Sequence, residues 1–283
     1  MAYPQFKCAY EKDNNPPLTK EADQYFQIAR QMEKSAGIRN WPLIESNYQK
    51  AIDLNHWKAM NNLAILYRKG AYNVNDKLDH PTGIVPNKER MLALYARMVQ
   101  LKVPMGYYNW AVAIQRGQVK NAQKGDSASY MHRAAELGYP PAQVAIGNHF
   151  AFGLPQGQQR KDLAEAYFRC AGAQDNTEAL IEVADFFYVS KENMPLAAFY
   201  YQRAASLGST KGFMFIMNMF REEPKAYNFG YLPNPELSNI YKGFYAQLRK
   251  NPNLTFPNLM KEYPLPRHPT QGYDADHPDT RPQ

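Results

Sequence analysis

Along most of the chain an alanine or glycine opens an apolar stripe spaced for one face of a helix, and the pattern restarts at Ala22, Ala59, Gly106, Ala142, Ala179 and Gly212. In five of these segments the positions at offsets 0, 4 and 8 are apolar: Ala59, Leu63, Tyr67; Gly106, Trp110, Ile114; Ala142, Ile146, Phe150; Ala179, Val183, Phe187; Gly212, Ile216, Phe220. At about 100° per residue such positions share one face. A second helix follows each, marked by an aromatic or Met with a small or apolar pair three residues on: Tyr48 with Ala51-Ile52, Tyr95 with Met98-Val99, Met131 with Ala134-Ala135, Tyr167 with Cys170-Ala171, Tyr201 with Ala204-Ala205. Small residues there let neighbouring helices approach closely. Most pairs close on Leu plus a turn residue, at Leu54-Asn55, Leu101-Lys102, Leu137-Gly138 and Leu207-Gly208. A helical pair recurring every 36 residues or so predicts a stacked solenoid, in which each unit buries its apolar face against its neighbours and an extended surface is left for binding.

The unit opening at Ala59 runs 47 residues to Gly106, against 36, 37 and 33 for the next three. The extra length lies in Ala71 to Pro86, either a functional loop or a tolerated ornament. Before the repeats, residues 1–18 read as an extended arm, with a helix beginning after a Thr19 cap. The solenoid is expected over 19–223. Beyond it Asn234-Pro235 starts a helix with Leu237, Ile240, Tyr241, Phe244, Tyr245 and Leu248 at helical spacing, so 224–263 is read as a capping segment. Phe256, Leu259 and Met260 are expected to fold back on that cap, and the Pro-, His- and Asp-rich stretch 264–283 to lack structure.

These residues resemble the Sel1-like repeat, a relative of the tetratricopeptide repeat with the pattern Ala-x-x-x-Leu-Gly-x-x-Tyr-x-x-Gly and then Ala-x-x-Trp/Tyr-x-x-x-Ala-Ala-x-x-Gly. The best local match is Ala142-Gln-Val-Ala-Ile146-Gly147-Asn-His-Phe150-Ala-Phe-Gly153, then Asp162-Leu-Ala164-Glu-Ala166-Tyr167, and the resemblance runs from about Ala22 to Arg221. It implies an all-α fold: a right-handed α-solenoid of about six helix pairs with a C-terminal helical cap and an irregular tail. Arg30 departs from the pattern where an aromatic belongs, and the cysteine pairs of the disulfide-rich Sel1-like branch are missing.

Composition changes the picture in two places. Hydrophobic residues make up 45% and charged residues 21%, enough for a real core, while 21 Tyr beside 14 Phe and 3 Trp exceed what packing alone demands. The net charge is +7, yet Lys and Arg are spread along the chain and never run beyond pairs such as Arg68-Lys69. Without a basic stripe or a nucleic-acid-reading motif, a moderately acidic protein partner is expected and nucleic acid is not. No transmembrane segment is expected either, since no stretch nears 18 apolar residues. Met1-Ala2 ahead of a polar segment is compatible with a start that replaces a signal or lipoprotein leader, which would place the natural protein in the periplasm; the alternative is cytoplasmic. Cys170 falls in the slot that holds Ala51, Met98, Ala134 and Ala204 elsewhere and reads as a small buried hydrophobe. Cys8 is free, bridged to Cys170 or lipid-linked, and spacing does not decide among these.

Candidate chemistry is sparse. Ser129, His132 and Glu136 share a helical face but read as a solvated surface, with no metal expected there. His56-Trp57-Lys58 opens like the His-x-Lys-x4-Asp motif of phospholipase D enzymes, but the eighth position is Leu63, a core residue of the repeat. His56 and His149 lie near packing elements; His80, His268 and His277 fall in loops or the tail. No catalytic residue, cofactor or metal is assigned, and a binding protein is expected rather than an enzyme.

Offsets 2 and 6 of the first helices lie roughly 140–180° from the centre of the buried stripe and should face an open groove. They are Asn61, Tyr108, Val144, Ile181 and Met214, then Ile65, Val112, Asn148, Asp185 and Asn218, with Arg68, Gln115, Tyr188 and Arg221 at the next turn. An apolar centre with a polar rim is the composition of an interface; the competing reading packs these residues against the neighbouring repeat. Tyr72 and His80 in the insertion are weaker partner-binding candidates.

The opening Tyr3-Pro-Gln-Phe6-Lys-Cys8-x-Tyr10, the block Asn55 to Ala64 and the closing Asn251-Pro-Asn-Leu254-x-Phe256-Pro257-Asn258-Leu259 resemble a branch of bacterial Sel1-like proteins often encoded beside type VI secretion toxins. Some of that branch are periplasmic immunity proteins against phospholipase-type effectors. The resemblance implies a chain, monomeric when free, that binds a cognate secreted lipase toxin and blocks its active site or its access to membrane. The alternative is a Sel1-like scaffold or adaptor that binds a peptide segment of a signalling or envelope complex.

Overall fold

The computed structural model describes residues 6–73, 82–222 and 228–273 and divides the chain into two compact units. One unit is Glu11–Tyr139; the other joins Met1–Tyr10 to Pro140–Gln283.

The Glu11–Tyr139 unit holds α1 (Lys20–Lys34), α2 (Trp41–Asp53), α3 (Trp57–Lys69), α4 (Lys88–Gln100), α5 (Pro104–Gln115) and α6 (Asp126–Glu136), each packed on the next. Thr19 caps α1 as expected, its hydroxyl accepting from the Ala22 amide at 3.2 Å. Asn40 and Asn87 do the same for α2 and α4. The Leu-plus-turn signal has a geometric meaning. At Asn55, Lys102 and Gly138 the backbone is left-handed, with φ of 62°, 59° and 88°. The next amide then reaches back to the orphan carbonyls of the ending helix: His56 to Ala51 at 3.0 Å, Val103 to Met98 at 2.9 Å, Tyr139 to Ala134 at 3.0 Å. This is a Schellman closure, and it aims the following residue to open the next helix.

His56 uses that position unusually. Its Nδ1 accepts from the Ala59 amide at 3.1 Å, so the imidazole caps α3, while Nε2 faces Asp23 at 3.4 Å and Phe26 stacks on the ring at 4.4 Å. The side chain is fully buried. Burial lowers its pKa against the opposing pull of Asp23, and Lys58 lowers it further. A depressed pKa means the unfolded chain binds the proton first, so the stability held above pH 6.5 is lost as pH falls through the folded-state value. Thermal melts between pH 7.5 and 5 should therefore drop more steeply for the native protein than for His56→Asn, which keeps a capping acceptor without a titrating ring; parallel curves would refute this.

The other unit contains α7 (Pro140–Asn148), extended by a π-helical turn at His149–Gly153, then α8 (Lys161–Gly172), α9 (Thr177–Lys191), α10 (Met194–Ser206), α11 (Thr210–Met219), α12 (Pro235–Lys250) and the short α13 (Leu259–Glu262). Again neighbours pack in order, and α7 also touches α9 directly. Gly208 closes α10 with φ 88° and Ser209 caps α11. The opening small residues are explained by contact. A Cβ on Gly212 would lie 2.6 Å from the Ala205 nitrogen and the Tyr201 carbonyl oxygen, and one on Gly106 in α5 would lie 2.5 Å from Met98 Cβ. Each such helix crosses the preceding one with backbone in contact, so no side chain fits.

The offset 0, 4 and 8 residues are buried throughout, except Trp110 and Ile114, which are half-buried. Asn234-Pro235 starts α12 as expected, and Phe256 folds back, its amide donating to Ser206 at 2.6 Å and its ring edge meeting Phe213 at 5.3 Å. The stretch expected to lack structure from Pro264 onward is instead packed as far as Tyr273. Leu265 and His268 are buried, His268 Nε2 lies 2.9 Å from the Phe229 carbonyl, and Gln271 bonds the α9–α10 connection at the Met194 amide and the Glu192 carbonyl. A buried imidazole satisfied on both nitrogens supplies the ordering that composition did not advertise. Residues 274–283, His277 among them, lie outside the described residues.

Cys170 is buried as its slot requires, but it is also bridged to Cys8, with Cα atoms 5.7 Å apart, which corrects the reading of it as a plain hydrophobe. The arm is seated beside the bridge by Phe6 against Tyr167, ring centroids 4.2 Å apart, and by Gln143 Nε2 donating to the Ala9 carbonyl at 3.0 Å.

Candidate protein-binding surface

In the Glu11–Tyr139 unit the proposed wall is built from α3 and α5. Asn61, Ile65, Tyr108 and Val112 are half-buried, with Arg68 and Gln115 exposed beyond them. Asn109, one position from the predicted register, donates from Nδ2 to Asn61 Oδ1 at 3.1 Å and ties the two helices together. The Tyr108 ring rests on Tyr139, centroids 5.1 Å apart. The result is a mixed apolar and amide strip at half exposure, held rigidly from behind.

The other unit differs. Val144 on α7 and Ile181 on α9 are 7% and 4% exposed, so both belong to the core and not to an open wall. In this unit α7 and α9 are in direct contact, as expected where these positions pack against the neighbouring repeat. Asn148, Asp185, Tyr188 and Asn218 are half-buried, and Met214 and Arg221 exposed. The Asp185 carboxylate accepts from the Tyr201 hydroxyl; burial raises its pKa, opposed by that hydrogen bond and by Lys211. Tyr188 packs against Phe229 at 4.3 Å. Asn218 accepts from Arg221 at 3.2 Å, and the two line a cleft of about 620 Å³ between α11 and α12 with Asn239 and Lys242.

Tyr72, in the insertion, is 44% exposed. Its neighbours form an antiparallel bridge, Ala71 to Ile84 at 2.9 Å and back at 2.8 Å. His80 lies outside the described residues. Ser129 donates to the Gly125 carbonyl at 3.2 Å and Glu136 accepts from Arg133 at 3.1 Å, so the hydroxyl and the carboxylate are both engaged within α6 and its cap. His56 is committed to capping α3, and Lys58 lies over the Trp57 ring. Sequence reasoning missed Gln143, whose fully buried amide bonds the arm and Gln174; a glutamine on a helix between apolar neighbours was its only signal.

No protein-family model and no curated protein matches this chain. Solved structures do. The immunity protein PA5088 from Pseudomonas aeruginosa is 37% identical over 98% of this chain and 100% of that one, with a TM-score of 0.80. The immunity protein PA5087 from the same organism is 35% identical over 97% of this chain and 100% of its own, with a TM-score of 0.78. A Sel1 repeat protein from Oxalobacter formigenes, 20% identical over 79% of this chain and 84% of that chain with a TM-score of 0.55, shares the fold.

Proposed function

This chain belongs to the family of the Pseudomonas aeruginosa immunity proteins PA5087 and PA5088, and from that membership we propose that it neutralises a phospholipase-type toxin of a type VI secretion system by binding it. The observation that carries the reading is identity of 35–37% running through nearly the whole of both chains, with two proteins named for immunity. A solenoid surface with half-exposed apolar and amide residues fits the task, because neutralisation needs complementarity and no chemistry of its own. The chain acts as a monomer that occludes the toxin's active site or its route to membrane. The Cys8–Cys170 bridge favours the periplasm, where disulfides persist, over the cytoplasm, where thiols are kept reduced. No helix among the described residues is long and apolar enough to cross a membrane.

The test is co-purification with a phospholipase-type type VI secretion toxin from the same organism. A stable complex on size exclusion, with phospholipase activity suppressed at equimolar ratio, is expected. Tyr108→Asp, which places a charge in the centre of the α3–α5 strip, should weaken that complex about tenfold or more with an unchanged circular dichroism spectrum. A toxin that elutes alone and stays active would refute the proposal.

A further inference from the structure

A second surface of the Glu11–Tyr139 unit has the makings of an interface. Four large apolar side chains stand out of it: Ile38 at 84% exposure, Val85 at 54%, Leu43 at 46% and Tyr72 at 44%. Single exposed apolar residues are ordinary, but the segments that carry Ile38, Tyr72 and Val85 are tied together by hydrogen bonds. Ile38 sits in the α1–α2 connection beside Arg39, whose amide donates to Asn73 Oδ1 at 2.8 Å and whose carbonyl accepts from Asn73 Nδ2 at 3.0 Å. That pair clamps the connection to the root of the insertion. The antiparallel Ala71–Ile84 bridge sets Tyr72 opposite Gly83 and Val85 opposite Gly70, which the Tyr72 ring reaches. Leu43 lies in the first turn of α2, its amide held by Asn40 at 3.1 Å.

The patch is rigid where it could have been loose. Tyr72 lies against Gly70 and Gly83, where an added Cβ would fall 2.7 and 2.8 Å from the ring, and one on Gly70 would also lie 3.1 Å from Pro86 Cδ. The Arg39 guanidinium is likewise committed, donating from Nε to the Glu33 carbonyl at 2.7 Å, with Trp41 beneath it. Exposed apolar groups on a pinned frame lose little entropy when covered. The described rim is basic: Lys34, Lys69 and Lys88 are exposed and take part in no ion pair among the described residues, with Glu89 as the exposed acid beside them.

We propose that this patch at the root of the insertion is a docking surface for the toxin, and that the toxin meets it with an apolar centre ringed by carboxylates. The inference rests on the immunity reading and adds where the partner lands. Charge complementarity makes the choice of occupant: a second copy of this chain would set three lysines against three lysines.

The experiment compares the native protein with Ile38→Asp/Val85→Asp and, separately, Lys34→Glu/Lys88→Glu, using as the probe the purified phospholipase-type toxin of the co-purification test. The apolar pair should weaken binding about 100-fold with the melting temperature held within a degree, since both side chains are exposed. The charge pair should slow association about tenfold at low salt, with the difference shrinking as salt rises. Native binding with both variants equal to it would overturn this inference and leave the immunity reading standing; no binding by the native protein would overturn both. A free-protein dimer in light scattering that the apolar pair converts to monomer would assign the patch to self-association and overturn it as well.

Discussion

Ile181→Asp is expected to unfold the Pro140–Gln283 unit rather than merely to blunt binding. The side chain is 4% exposed in the middle of α9, so its replacement buries a carboxylate in the core and removes a large apolar contact. An unpaired buried charge together with the lost packing costs about 4 kcal/mol or more, a large share of the stability of any domain of this size. Met214→Asp provides the control, since Met214 is 45% exposed two positions into the equivalent stripe of α11. Far-ultraviolet circular dichroism and thermal melts should show loss of a cooperative transition for the first and a shift within about 0.5 kcal/mol for the second. A native-like melt for Ile181→Asp would return that residue to the surface.

The contrast between Ile181 and Met214 shows what a sequence can and cannot specify about a solenoid. Angular position on a helix follows from spacing alone, so the offset 0, 4 and 8 residues were readable as core. The Leu-plus-turn signals were readable too, because a residue suited to a left-handed backbone leaves a local trace, and Asn55, Gly138 and Gly208 carry it. What stands opposite the other face is set by how the next pair docks. Val144 of α7 and Ile181 of α9 are buried, whereas Tyr108 and Val112 of α5 remain half open, and nothing in the stripe itself distinguishes these cases. The insertion patch was only half legible. Tyr72 could be suspected from the anomalous unit length, but Ile38 joins it only through the Asn73–Arg39 clamp, a pairing of residues 34 apart.

For the same reason the Cys8–Cys170 bridge stood only as one of three readings that spacing left open, and its removal is the second large effect expected. The linked residues are 162 apart, so the closed loop takes in the entire Glu11–Tyr139 unit, and in the unfolded chain such a loop forfeits much conformational freedom. Cys8→Ser/Cys170→Ser should cost about 2–5 kcal/mol and lower the melting temperature by about 5–15 °C. The arm should detach first. Apart from the bridge, its seat is chiefly the Phe6–Tyr167 ring contact and the Gln143–Ala9 hydrogen bond, and losing the latter takes one hydrogen bond from a fully buried amide. Limited trypsin digestion should accordingly cut at Lys7 in the double variant or in reductant, and spare it in the oxidised protein. If thiol titration confirms full reduction while melting and cleavage stay unchanged, the bridge is not what holds the arm. If both change, the folded form described here is the oxidised one, and the arm's attachment depends on a compartment that keeps it so.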